Sequence, residues 1–277
     1  MTLPVLSRLQ SLALIVVSSL AVAACAPMHT TQSGAVNVQR AQYMSPLVSA
    51  QQLDQEAQRQ YAATLNQAKA QKRLDTNPQQ LKRIQAISQR LIQQVGVFRP
   101  DARNWNWEIH LIDSNEANAW CMPGGKMAVY SGLIKQLNPT DDELAAVIGH
   151  EMAHALREHS REQVSQAVAS SLGLSVLAAI TGSQQTADLG AKLNEVMFRL
   201  PNSRGHEQEA DRIGVELAAR AGYNPRAAVT LWQKMGRLNQ GAQPPEFLST
   251  HPSSSSRIAD LDKIATQMMP LYESANR

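Results

Sequence analysis

The sequence predicts an α+β fold, mostly helical, with one small sheet. Three observations carry that expectation. Apolar residues recur at helical spacing in two stretches before residue 100. The period then switches to alternation over Asn104–Asp113, and a second strand reads over Lys126–Gly132. Beyond Gly132 helical spacing resumes and holds to the end of the chain. The 277 residues suffice for one large domain or two small ones. Hydrophobic content of 43% with 18% charged residues suits a globular core. The formal charge is only +3 and no Lys/Arg run occurs, which disfavours a nucleic-acid partner.

Residues 1–24 stand outside the fold. Arg8 precedes a largely apolar run from Leu12 to Ala24. That run is shorter than the ~20 residues of a spanning helix and ends in small residues, as a secretory signal does. Its end, Val22-Ala23-Ala24-Cys25, resembles a bacterial lipobox. The resemblance implies that Cys25 is acylated and tethers the chain to a membrane without spanning it. An ordinary signal cut near Ala24 would leave Cys25 a plain thiol. Ala26, rather than Asp, follows the cysteine; by analogy with lipoprotein sorting this points to the outer membrane, facing the periplasm. Cys121 is the other cysteine, so acylated Cys25 leaves no intramolecular disulfide. Residues 25–48 are then a lipidated N-terminus and tether, since Pro27–Ser45 is polar with little periodicity. Residues 49–277 form the domain.

Within it, Leu53, Ala57, Tyr61 and Leu65 mark a helix over Gln51–Leu74. Asn77-Pro78 opens a second, with Leu81, Ile84, Ile87, Leu91 and Ile92 as its apolar stripe. In the strand Asn104–Asp113, Trp105, Trp107, Ile109 and Leu111 share a face. Pro123-Gly124-Gly125 is a turn, and Lys126–Gly132 a second strand of the same sheet. No internal repeat is visible.

The chemistry sits in "VIGHEMAHALREHS", Val147–Ser160. Thr140-Asp141-Asp142-Glu143 is a capping box, so a helix starts near Asp141. His150 and His154 are four apart inside it; ~400° of rotation puts both imidazoles on one face, one turn apart. One Zn²⁺ can bridge them. Glu151 is rotated from that line and is placed to take a proton as water attacks a peptide carbonyl. The pattern does not continue as HExxHxxGxxH, because Arg157 and Ser160 stand at the later positions. His159 falls roughly 140° off the ligand face of a straight helix and reads as surface. Glu158 lies on that face, but ligands from one straight helix would be strung in a line. The third ligand should therefore come from a second helix.

Ser203–Pro225 is that candidate, with Glu207, Glu209, Asp211 and Glu216 as its carboxylates. Ala210, Ile213, Gly214 and Leu217 form its apolar stripe, and Glu207 faces the same side. Asp211 sits one turn below Glu207, where it suits an acceptor for the ring N–H of a ligand histidine. Glu209 reads as solvated and His206 as surface.

HExxH followed by S-R-x-x-E-x-E-A-D-x-x-G resembles metallopeptidase family 48, gluzincins that include the Oma-type and CAAX prenyl peptidases. "ANAWCMPGGKMAVYSGLI" is similar to that family's strand before the zinc helix, and the likeness covers roughly Gln80–Ala259. It implies a zincin-like domain with one zinc, ligands His150, His154 and Glu207, base Glu151 and supporting carboxylate Asp211. "STHPSSSSRIADL" is also similar to a C-terminal motif of periplasmic members. That likeness implies that Arg257 stabilises an oxyanion and that His251 approaches the zinc. The chain departs from the pattern at Asn202, where an aromatic is common, and at Cys121, where a small residue is; Cys121 reads as packed and inert rather than as a closing thiolate ligand.

The resulting expectation is an endopeptidase of the bacterial cell envelope, acting on unfolded or misassembled envelope proteins. A chaperone-like lipoprotein with gated or rare proteolysis is the alternative. An extended substrate is expected to add along Lys126–Gly132 by β-augmentation. Ser165–Gly190 reads as a helix and loop near the cleft, a candidate lid.

Overall fold

The computed structural model describes residues 26–181, 189–238, 246–252 and 254–277, with backbone alone over 171–181. The expected leader and Cys25 lie outside the described residues, as does part of the candidate lid. Two short strands come first, β1 (Ala26–Met28) and β2 (Gln42–Met44), paired antiparallel. Helices α1 (Ala50–Ala70) and α2 (Pro78–Ile92) follow. The main sheet is β3 (Glu108–Ile112), β4 (Ala119–Met122) and β5 (Lys126–Tyr130). Then come α3 (Ser131–Leu137), α4 (Asp141–Leu156), α5 (His159–Thr181), α6 (Leu189–Phe198), α7 (Arg204–Arg220), α8 (Ala227–Leu238), α9 (Glu246–Thr250) and α10 (Ser255–Ala275). Among the described residues no helix is long and apolar enough to cross a membrane.

The helix starts follow their caps. Ser49 Oγ accepts from Gln52 N at 3.1 Å to open α1. Asn77 Oδ1 accepts from Gln80 N at 3.1 Å, with Pro78 in the first turn of α2. Thr140 and Glu143 close the capping box of α4 reciprocally, at 3.2 and 2.8 Å. In α2 the residues Ile84, Ile87 and Leu91 of the apolar stripe are buried.

The sheet order is β3-β5-β4, with β3 parallel and β4 antiparallel to β5. Alternation sorts its side chains into two layers. Ile109, Leu111, Cys121, Met127 and Val129 join the larger core under α2, α4 and α7. Ile112, Trp120, Met122 and Ala128 face the smaller core with Leu53 and Tyr61 of α1 and Leu193 of α6. Periodicity alone does not mark β4 as a strand. All four of its residues are buried, so it lacks the half-exposed alternation that marks a strand in sequence. The first strand is also shorter than expected. Pro100–Asn104 forms a 3-10 turn, and Trp105 and Trp107 stack on each other before β3 begins.

The expectation of a tether over Pro27–Ser45 is corrected. Val36 and Val38 lie in the main core. Val36 N donates to Glu216 Oε2 at 2.9 Å, and Gln32 N to the carbonyl of Phe98 at 2.7 Å. Gln42 is buried and donates to the carbonyl of Arg157. Backbone amides and the Gln42 side chain of this stretch bond to the body of the protein, while Asn37 and Gln39 stay exposed.

Helix α4 runs through the middle and is buried from Glu143 to Leu156. It crosses α7 at a pair of glycines. A Cβ on Gly214 would stand 2.8 Å from His150 N and 2.9 Å from the carbonyl carbon of Gly149. That backbone approach brings the histidine face of α4 against the carboxylate face of α7.

Candidate metal centre

His150 and His154 point the same way from successive turns of α4, their Nε2 atoms 3.2 Å apart. Glu207, in the first turn of α7, reaches between them. Its Oε2 is 3.4 Å from His150 Nε2 and its Oε1 3.3 Å from His154 Nε2. His251 follows α9, with Nδ1 2.9 Å from Glu207 Oε1 and 3.3 Å from His150 Nε2. Among the described residues these four buried groups offer donor atoms all within 4.8 Å of one another. Ligands ~2.0–2.1 Å from a tetrahedral ion lie about 3.3 Å apart. The spacing of the two imidazoles and the carboxylate therefore fits a single zinc, and their chemistry is that of a catalytic zinc's protein ligands.

Glu151 is buried, its Oε1 without a hydrogen-bond donor; His251 Nε2 is nearest at 3.5 Å. Burial pushes its carboxyl up, against the pull of His251 and His150. An unpaired buried carboxylate oxygen is costly unless the site's own ligand completes it, which again fits a metal centre. Burial acts on Glu207 and Asp211 in the same upward sense. There the cations win: His251 with His150 and His154 holds Glu207 well below the usual carboxylate range, and Arg257 with His150 holds Asp211 below it.

Asp211 Oδ1 is 3.0 Å from His150 Nδ1. Arg257 grips Asp211 with Nε and Nη2, both at 2.7 Å. Its Nη1 lies 2.6 Å from Glu207 Oε2 and donates to the carbonyl of Pro252 at 2.7 Å. Trp232 covers the guanidinium at 3.9 Å. The resemblance implied an arginine free for an oxyanion; in this arrangement all three nitrogens are committed to the site's own carboxylates and backbone.

Three residues read as surface or solvated are buried. His159 is 1% exposed, with Nδ1 2.9 Å from His154 Nδ1. The prediction assumed one straight helix. Instead α4 stops at Leu156, Glu158 takes a left-handed φ of 52°, and α5 restarts at His159. Glu209 is buried between Arg157, Arg40 and His159. His206 is buried against Glu162 at 3.1 Å. Glu158 turns away to Arg99, 2.6 Å distant.

The cleft beside the donors is bounded by Trp120 and Cys121 of β4, Glu151, Phe198 of α6, Thr250 and His251. The substrate-strand expectation is corrected here. β5 is paired on both sides, so Lys126–Gly132 has no free edge; the edge strand lining the cleft is β4. Cys121 is outside the four-donor group. Burial, then Glu151, pushes its thiol well up, as suits a packed, inert cysteine. Sequence reasoning missed the groups that seat His251. Phe247 stacks on its ring at 4.4 Å, and Asn202 N donates to the carbonyl of Thr250 at 2.9 Å. Only the departure at Asn202 signalled that this position differs.

Known proteins resemble this chain in sequence. Over 188 residues the chain is 38% identical to the mitochondrial metalloendopeptidase OMA1 of Bos taurus, covering 64% of this chain and 36% of the relative. The OMA1 of Saccharomyces cerevisiae is 35% identical, over 61% of this chain and 50% of the relative. The β-barrel assembly-enhancing protease of Escherichia coli is 32% identical, over 58% of this chain and 35% of the relative. The chain thus spans a third to a half of the relatives' length. A model described as peptidase family M48 matches residues 78–265, which take in all four donors. The chain belongs to peptidase family M48, and its cofactor is zinc.

Proposed function

We propose that this chain is a zinc-dependent endopeptidase of the bacterial cell envelope, acting on unfolded or misassembled envelope proteins. The observation that carries the reading is the buried Glu151 carboxylate, whose Oε1 has no hydrogen-bond donor, beside three donors at tetrahedral spacing. His150, His154 and Glu207 hold the metal. A bound zinc supplies Lewis acidity to a water and to the scissile carbonyl. Glu151 takes the proton of the attacking water as the C–O bond forms, and then returns it to the amine nitrogen as the peptide C–N bond breaks. Asp211 orients His150, and Arg257 holds Asp211 and Glu207 in place. An extended substrate adds to the free edge of β4, which recognises backbone and so selects unfolded segments. The envelope assignment rests on the leader, the lipobox at Cys25 and the E. coli relative's printed role in β-barrel assembly.

One observation favours gated hydrolysis, the chaperone-like alternative. His251 stands among the donors, where it can occupy the position a water needs. The two readings separate on an unfolded protein substrate. Glu151→Gln should keep zinc and lose cleavage; equal cleavage by both proteins rules out the peptidase. Client protection that survives Glu151→Gln supports the alternative.

A further inference from the structure

Each ligand histidine has a second ring nitrogen, and the structure gives each a different partner. For His150 it is the carboxylate of Asp211. For His154 it is another imidazole. His154 Nδ1 lies 2.9 Å from His159 Nδ1, and His159 Nε2 lies 3.0 Å from Glu209 Oε2. The tautomers follow from the partners. Glu209 only accepts, so His159 carries its proton on Nε2. His159 Nδ1 then holds a lone pair and accepts from His154 Nδ1–H, which leaves His154 Nε2 free to face the metal.

The rest of the cluster fixes this arrangement. His206 stacks on His159 at 4.3 Å with planes 13° apart. Arg157, with no exposed surface, donates through Nε to Glu209 Oε2 at 3.0 Å. Arg40, from residues 27–45, which form an N-terminal strap across the domain, donates to Glu209 Oε1 at 2.6 Å. Glu209 is thereby held by Arg40 at one oxygen and by Arg157, together with His159, at the other.

We infer that His159 is the positioning residue of the second zinc ligand: a Glu209–His159–His154 relay fixes the tautomer and aim of His154, as Asp211 does for His150. The inference rests on zinc binding at His150, His154 and Glu207. Partners of this kind are worth roughly 10–100-fold in metal affinity.

Two conservative variants separate a hydrogen-bonding role from a packing one. Asn places an amide oxygen near the position of Nδ1 and keeps the acceptor for His154. Gln reaches Glu209 but offers His154 no acceptor. In the full chain, zinc affinity by chelator competition should fall about 10–100-fold in His159→Gln and only a few-fold in His159→Asn. The absorption bands of the cobalt-substituted protein should shift in the first and hold in the second. Equal loss in both variants, or no loss in either, overturns the relay. A third measurement needs no variant. Long-range ¹H–¹⁵N spectra of the zinc-loaded wild type should show His159 protonated on Nε2 alone, and a proton on its Nδ1 overturns the relay. Failure of the wild type to take up zinc sinks the metal reading itself, a distinguishable result.

Discussion

Each donor at the centre has a separable job, which gives single substitutions distinct signatures. Glu207→Ala removes the only carboxylate of the donor group and should cost most of the zinc at neutral pH; unchanged metal content by elemental analysis would remove it from the ligand set. His251→Ala should leave zinc content near one per chain. It should raise turnover of an unfolded substrate several-fold, because a group competing for the water's position is gone. A fall in turnover would make His251 part of the catalytic machinery instead. The helical spacing of His150, His154 and Glu207 was legible because each lies inside one regular helix, where four residues return to the same face. His159 was not, because its direction depends on a left-handed Glu158 that no helical projection contains. Glu209 and His206 were misread for a related reason. Their charges looked solvated, while their partners Arg157, Arg40 and Glu162 come from distant parts of the chain.

At the scale of elements, the site exists because α4 and α7 touch backbone to backbone. Gly214→Ala puts a methyl within 3.0 Å of His150 N, its Cα and Gly149 C. The helices must separate. Overpacking of this kind costs about 1–3 kcal/mol, more than the ~1 kcal/mol that Ala gains over Gly in a helix. The expected outcome is lower stability in urea together with weaker zinc binding, since ligands come from both helices. Gly236, in α8, is the control. Among the described residues nothing lies within 4 Å of an added Cβ there, so Gly236→Ala should stabilise by roughly 0.5–1 kcal/mol and leave zinc alone. Equal effects of the two changes would show that the crossing tolerates separation. The sequence places Gly214 on the apolar stripe of its helix, but does not show that it meets Gly149. Its periodicity also hides β4, because a strand covered on both sides shows no alternation. Only pairing reveals that β4, and not β5, offers the free edge.

Across the whole molecule the N-terminal strap ties the domain's charged interior together. Arg40 bonds both oxygens of Glu162, at 2.8 and 2.7 Å, and also Glu209. Glu162 has no exposed surface. Burial alone would raise its carboxyl, but Arg40, His206 and the amide of Tyr43 prevail and hold it below the usual carboxylate range. The sign follows from proton linkage. A carboxyl depressed in the folded state binds fewer protons than in the unfolded chain. Its contribution is therefore complete above the ordinary carboxylate pKa of ~4.3 and fades as pH falls below it. Arg40→Ala removes the partner that sustains this depression. The loss at pH 7 should be about 1–3 kcal/mol, less than for a fully buried pair because the Arg40 side chain is 37% exposed. In the variant, Glu162 should titrate closer to its unfolded value. The two proteins' urea midpoints should then converge as pH drops from 6 toward 3. Curves that stay parallel over that range would mean Arg40 acts through packing of the strap and not through the charge of Glu162. A strap that serves as a passive linker predicts no difference at any pH.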